Sequence, residues 1–178
     1  RLDRLEDTHR SVIAAAYENL AGTNQIHRAI LRMLDPTAFE PFLRDLDGPV
    51  ADILNVAAIR LVLETAQPDA DGVVARLGPV LSTAEPGFVA GFVGAHPDAP
   101  YRPVTLRQLD RGDATLYGDA ADWIRSEACI RLDFGAGTLP GLLLMGSEDP
   151  HQFTPQQGTD LLAFFGGVFE RAMRRWLS

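Results

Sequence analysis

Residues 141 to 146 read GLLLMG, an apolar run with no polar alternation, and no other stretch limits the architecture as tightly. A strand that is apolar at every position cannot leave one face in water, so it belongs at a sheet centre covered on both sides. Upstream, Ala128, Ile130, Leu132 and Phe134 alternate with Cys129, Arg131 and Asp133 over residues 127 to 134, the period of a strand with two different faces. The intervening GAGT makes the pair a hairpin, with the second strand over 140 to 147. Gly135, Gly137 and Gly141 are spaced one residue too widely for the dinucleotide-binding fingerprint and sit between two strands, so they serve the turn. Downstream, Thr154, Pro155 and Gln157 supply an N-cap, a first-turn proline and a capping-box partner for a helix expected over about 155 to 177. Its stripe of Leu161, Phe165, Phe169, Ala172 and Trp176 is wider than one sheet face needs, which leaves part of it for a partner.

The preceding residues supply the other strands and their connections. Over 57 to 64, Ala57, Ile59, Leu61 and Leu63 share one face while Arg60 and Glu64 share the other, a half-buried strand. TAQPDADG is a turn-rich loop, and VVARL at 73 to 77 is short and β-branched, so it is expected to pair antiparallel with the first strand. In PGFVAGFVGA, residues 86 to 95, the four-residue spacing of Phe88 with Phe92 and Val89 with Val93 predicts a short helix. PVTLRQL is a further strand and LDRGDATLYGDA an irregular acidic connection. Residues 37 to 54, with Phe39, Phe42, Leu43, Leu46 and Val50, read as helical.

Residues 2 to 33 carry apolar and small residues at alternating three- and four-residue steps, from Leu2, Leu5 and Val12 through Asn19 to Ile26, Ile30 and Met33. Such a narrow seam fits a coiled coil or one helix lying along another. Two partners are open: a second subunit, with Asn19 setting register, or the chain's own core. Gly22 weakens the helix at its middle. The dimer reading places Leu5, Val12, Asn19, Ile26 and Ile30 against Phe165, Phe169 and Trp176 in a two-fold bundle.

Charge and composition remove several functions. The chain has 178 residues, enough for one well-buried core. The 16 basic residues are all arginine, against 24 acids, for a net charge of −8. Without lysine there is no Walker-type phosphate lysine, no Schiff base and no kinase-type strand lysine. An acidic surface repels nucleic acid, and no apolar run approaches the roughly 18 residues that span a bilayer. His9, His27, His96 and His151 show no metal-ligand spacing, so no metal site and no cofactor are expected. Ser147, Asp149 and His151 lie near one another without a nucleophile elbow and are expected to satisfy backbone groups in a turn. Cys129 has no second thiol to resolve an oxidised first one, and a lone strand cysteine is by default a small core residue. The charged opening from Arg1 is unlike a signal peptide, and the chain reads as a piece of a longer cytoplasmic protein.

Some motifs carry a resemblance. Leu116-Tyr117-Gly118, Ser126, Gly141-Leu142-Leu143, Gly146-Ser147, Asp149, Phe153, Pro155 and Gly158-Thr159 resemble the C-terminal half of the bacterial family catalogued as domain of unknown function 484. Leu5-Glu6, Ala16, Asn19 and Arg60 resemble its first part, and 65 to 112 match loosely. The resemblance implies a GAF-like α+β fold: an antiparallel sheet flanked by helices, preceded by a long N-terminal helix. The division is then a dimerisation helix over 1–35 and a GAF-like domain over 36–178. It implies a bacterial, cytoplasmic setting and no established activity. A GAF-like fold can form a pocket over its sheet, here walled by Phe88, Phe92, Tyr101, Arg102, Arg107, Tyr117 and Trp123, with Cys129 and Arg131 on the strand beneath. Aromatic walls with arginines suit a small planar or anionic ligand; the same aromatics could instead close a core. The expectation is a non-enzymatic, regulatory or signalling module, a homodimer that senses an unidentified small molecule, or alternatively a ligand-free module that docks a protein partner.

Overall fold

A computed structural model describes residues 2–67 and 72–177, with side chains of the first helix described at 4–10, 13 and from 22 onward. The fold is α+β, a five-stranded mixed sheet with helices on one face and short crossovers on the other. Strands β1 (Ala58–Glu64), β2 (Leu81–Ala84), β3 (Val104–Gln108), β4 (Ser126–Leu132) and β5 (Gly141–Ser147) lie in the order β2-β1-β5-β4-β3. The run without polar alternation is the central strand, buried at every position. β4 and β5 form the expected hairpin, with Ile130 opposite Leu143. β1 flanks β5 antiparallel, with Leu61 opposite Leu143, and β3 pairs outside β4, with Arg107 opposite Glu127.

The sheet is not wholly antiparallel. β1 and β2 run parallel, Leu61 opposite Leu81, and residues 73 to 77 are not a strand. They hold a single helical turn, α4 (Val73–Arg76), bracketed by Gly72 at φ +66° and Gly78 at φ +101°. Those backbone angles favour glycine, and the two turns send the chain back along β1 in its own direction, the crossover that parallel pairing requires. Val74 and Leu77 pack on the core while Val73 is exposed. A β-branched run too short to cross the sheet serves the connection instead.

Helices α1 (Leu2–Leu34), α2 (Phe39–Asp45), α3 (Ala51–Leu54) and α7 (Asp160–Leu177) cover one face. Between α2 and α3 the chain makes a wide turn over Leu46–Val50, kinked at Gly48 ahead of Pro49, where the missing N–H interrupts the ladder. α1 approaches α7 at Gly22, where an added Cβ would lie 3.5 Å from Leu161. From there Ile26, Ala29, Ile30 and Met33 are buried, at helical three- and four-residue steps. On α7, Phe165, Phe169 and Met173 are buried, and an added Cβ at Gly166 would come 2.5 Å from Ile130. Phe42 lies 5.6 Å from Phe169 and 6.1 Å from Trp176 between ring centroids. α7 begins at Asp160, later than its expected cap, because Gly158 interrupts the helical stretch. The return half of the capping box still forms: Thr154 N–H donates to Gln157 Oε1 at 3.1 Å, closing a separate turn.

The helix seam therefore needs correction over its second half. Ile26, Ile30, Phe165 and Phe169, expected between subunits, are buried within the chain, in the same core cluster as β1, β4 and β5. Trp176 packs half-buried against Phe39 and Phe42. The core thus includes residues on the N-terminal side of position 35. Leu5 is 68% exposed; the side chains of Val12 and Asn19 lie outside the described residues.

Candidate functional site

The second face of the sheet carries the chemistry. Strand alternation directs Arg60, Val62 and Glu64 of β1, Leu142 and Leu144 of β5, Glu127, Cys129 and Arg131 of β4, and Thr105 and Arg107 of β3 away from the long helices. Above them cross α5 (Phe88–Phe92), α6 (Ala114–Tyr117) and a tight 3-10 turn over Gly118–Trp123. The centre of this layer is filled. Val89, Tyr117, Ile124, Cys129, Leu142 and Leu144 are buried together, and an added Cβ at Gly146 would come 2.7 Å from Ile124 and 3.0 Å from Tyr117. The expected pocket over the sheet centre is therefore closed, with Tyr117 in the core that fills it.

Three buried or half-buried charges of the sheet hold the crossovers down by their backbones. Glu64 accepts from Gly87 N–H and Val89 N–H, each at 2.9 Å, at the start of α5. Arg107 donates from its terminal nitrogen to Phe92 O at 2.9 Å, at the other end of α5, with its guanidinium 4.6 Å from the Phe92 ring centroid. Carboxylate at the start and guanidinium at the end of a helical turn both complement its dipole. Arg60 donates to Leu116 O at 3.1 Å and Tyr117 O at 3.4 Å, and pairs with Asp47 at 3.0 Å. Irregular backbone above a buried sheet carries polar groups that must be paired, and these side chains pair them.

Glu127, 1% exposed, joins this set. One oxygen accepts from Arg107 Nε at 2.7 Å and the other from Tyr117 OH at 2.6 Å. Burial pushes the Tyr117 phenol well above its usual range, and the Glu127 charge adds to the rise. Burial likewise holds the Cys129 thiol protonated, far above the ordinary thiol range, with Glu127 contributing and Arg107 opposing. A thiol kept neutral is a poor nucleophile. Glu64, Glu127 and Asp47 are site residues that sequence reading missed. The available signal was Glu127 on the same alternation face as Cys129 and Arg131, and Glu64 beside Arg60.

The layer opens at its β3 edge. A cavity of about 530 Å³ lies between the segment 90–102 and the outer strands, and its walls bring together Tyr101, Arg102 and Arg131 with Thr105 and His96. The Arg131 guanidinium stacks 4.5 Å from the Tyr101 ring centroid. Burial raises the Tyr101 phenol, an effect opposed by Arg131 and reinforced by Glu170 and Asp133. Ala90, Val93, Pro97 and Pro100 supply apolar wall. The expected ligand residues thus separate into groups. Tyr101, Arg102 and Arg131 line the cavity; Phe92, Arg107, Tyr117 and Cys129 belong to the closed centre, with Phe88 stacked 5.6 Å from Phe92. Trp123 is 65% exposed and lines none of it.

A larger cleft of about 620 Å³ lies on the helix face between α1 and the start of α7, walled by Ile26, Leu54, Met145, Phe153 and Leu161. Its lining holds a single charged side chain, Asp160. Its other polar side chains, Thr23, Gln25, Gln152 and Gln157, are uncharged, whereas the smaller cavity sets two guanidiniums beside a phenol, charged groups that can fix a ligand's orientation. Near the cleft, Ser147 Oγ hydrogen-bonds Gln152 and accepts from Asp149 N–H, while Asp149 accepts from His151 N–H, all turn-forming contacts. Among the described residues no group of three His, Cys, Asp or Glu side chains converges as a metal site, and no helix is long and apolar enough to cross a membrane.

The architecture is that of an α+β domain whose crossover face is filled at its centre and open at its β3 edge. Its sequence matches the family model described as a protein of unknown function, DUF484, over residues 1–178. The chain belongs to that family. A search of the curated proteins returned no match.

Proposed function

We propose that this chain is a GAF-like, non-enzymatic sensory or regulatory domain of a bacterial cytoplasmic protein, taking a small molecule in the cavity at the β3 edge. The observation that carries the reading is the cavity itself, where Tyr101, Arg102 and Arg131 converge beside a sheet face that is otherwise closed. Its volume of about 530 Å³ falls within the roughly 300–1,000 Å³ of small-molecule sites. The non-catalytic part rests on the neighbouring groups: Glu127, Arg107 and Tyr117 are bonded to one another, and the Cys129 thiol is buried and protonated. Native mass spectrometry of protein purified from its own host tests the reading. A stoichiometric retained molecule, lost on Thr105→Trp, is the expected result; an empty protein that binds nothing at this edge favours a ligand-free docking module.

The assembly in this reading is a homodimer, resting on the first part of α1. Ile26 and Ile30 are already covered within the chain, whereas Leu5, seven residues before Val12, is 68% exposed. A helix that leaves an apolar seam residue such as Leu5 in water gains stability from a partner helix. Light scattering at micromolar concentration is expected to give a dimer mass that Leu5→Asp lowers to the monomer; a monomer mass for the unaltered chain would sink the dimer.

A further inference from the structure

The walls of the β3-edge cavity have a charge opposite to that of the chain around them. The protein carries 24 acids and a net charge of −8, yet the cavity lining contains two arginines and no carboxylate. The other arginines of the sheet are neutralised where they stand: Arg60 pairs with Asp47 at 3.0 Å and Arg107 with Glu127 at 2.7 Å. Arg102 and Arg131 have no carboxylate within ion-pair distance among the described residues. Asp133 and Glu170 lie near enough to act on Tyr101, but Glu170 accepts from Asp133 N–H at 2.9 Å and neither lines the cavity. Arg131 is held by stacking on Tyr101, which leaves the donor edge of its planar guanidinium for hydrogen bonds.

We propose that the cavity takes a small organic anion, a carboxylate on a compact apolar or aromatic body. The carboxylate is received by Arg102 and Arg131, whose forked donors match its two oxygens, and Thr105 Oγ1 adds a donor on the same wall. The body lies against Ala90, Val93, Pro97 and Pro100, a surface with no hydrogen-bonding side chain. A neutral ligand would leave both guanidiniums unmatched, and a bare inorganic anion would leave the apolar wall uncovered. This class rests on the preceding reading that the cavity binds a ligand.

The test uses naphthalene-2-carboxylate and naphthalene-2-carboxamide, which share a ring system and differ in charge, titrated into the ¹⁵N-labelled full chain at pH 7. The carboxylate is expected to shift amides at 90–105 and at 131 with at least tenfold lower Kd than the amide. Arg102→Gln with Arg131→Gln, both partly or fully exposed and so without a core role, is expected to abolish that preference while the amide binds as before. Equal affinities of the two probes at these amides overturn the anion class and leave the cavity as a small-molecule site. Shifts confined to other parts of the chain, unaltered by Thr105→Trp, overturn the class and the site together.

Discussion

The two faces of the sheet are held by different physics. Beneath the long helices, Phe42, Phe165, Phe169, Met173 and their strand partners form an apolar layer, stabilised by area removed from water and by close fit. Beneath the crossovers, Arg60, Glu64, Arg107 and Glu127 lie among Val89, Tyr117 and Cys129, and each charge pairs with backbone or with another charge. Helices satisfy their own backbone and need only an apolar partner. Single helical turns do not, so the sheet below them must supply donors and acceptors. Damage to the first face should scale with volume removed, and damage to the second with groups left unpaired.

The largest effect is expected on the helix face. Phe169→Ala removes a fully buried ring beside Phe42 and should cost about 3–5 kcal/mol in denaturant unfolding. On the crossover face, Glu127→Ala removes little volume but strands the Tyr117 hydroxyl and one side of Arg107. Because Arg107 is 29% exposed and can find water, a loss of about 2–3 kcal/mol is expected. Tyr117→Phe added to Glu127→Ala should then cost less than the sum of the singles, since the hydroxyl no longer lacks an acceptor. Strict additivity would mean the two groups do not act as a pair.

Much of the scaffold is legible in sequence because period-two and helical patterns state it directly. GLLLMG announces the central strand, the alternation around Cys129 announces β4, and the Phe88 and Phe92 spacing announces α5. What hides is non-local. VVARL has the composition of a strand, and only the glycines on both sides, each with positive φ, make it part of a parallel crossover. The α1 seam has the same spacing whether its partner is a second copy or α7, and Gly22 beside Leu161 resolves this for the second half alone. Arg107 and Tyr117 are expected as ligand walls and instead bond Glu127 in the closed centre, an arrangement hidden in the sequence because pairing across β3 and β4 depends on register.

The crossover face should also respond to alkali. The Tyr117 and Cys129 protons are held by burial, from ordinary values of 10.0 and 9.0. In the unfolded chain these groups ionise at those values while the folded chain keeps them neutral. The unfolded state therefore binds fewer protons, and stability falls as pH rises above about 9, with a slope approaching 1.4 kcal/mol per pH unit for each group. Cys129→Ala removes the earlier onset near pH 9 at a modest core-truncation cost. A pH-independent unfolding midpoint between 8 and 10.5 would contradict the burial of these groups.

A smaller loss is expected at Glu64→Ala, about 1–2 kcal/mol, because two N–H groups at the start of α5 lose their acceptor as a capping residue's partners do. Amide hydrogen exchange should rise at Gly87 and Val89 ahead of β1 and β5. Uniform change across the sheet would mean α5 does not open on its own.

The smallest effect separates the helix face's own packing from anything that covers it. Trp176 Nε1 is buried without a hydrogen-bond partner among the described residues, although the ring packs on Phe39 and Phe42. An unpaired buried N–H is unfavourable, so Trp176→Phe trades lost ring area against removal of that penalty. The two are of similar size, and the change is expected to lie within about 1 kcal/mol of neutral. The measurement is the urea midpoint at several protein concentrations. A midpoint shift equivalent to more than about 2 kcal/mol that grows with concentration would show the indole N–H bonded by a second copy of the chain, and the helix face would then owe part of its stability to assembly.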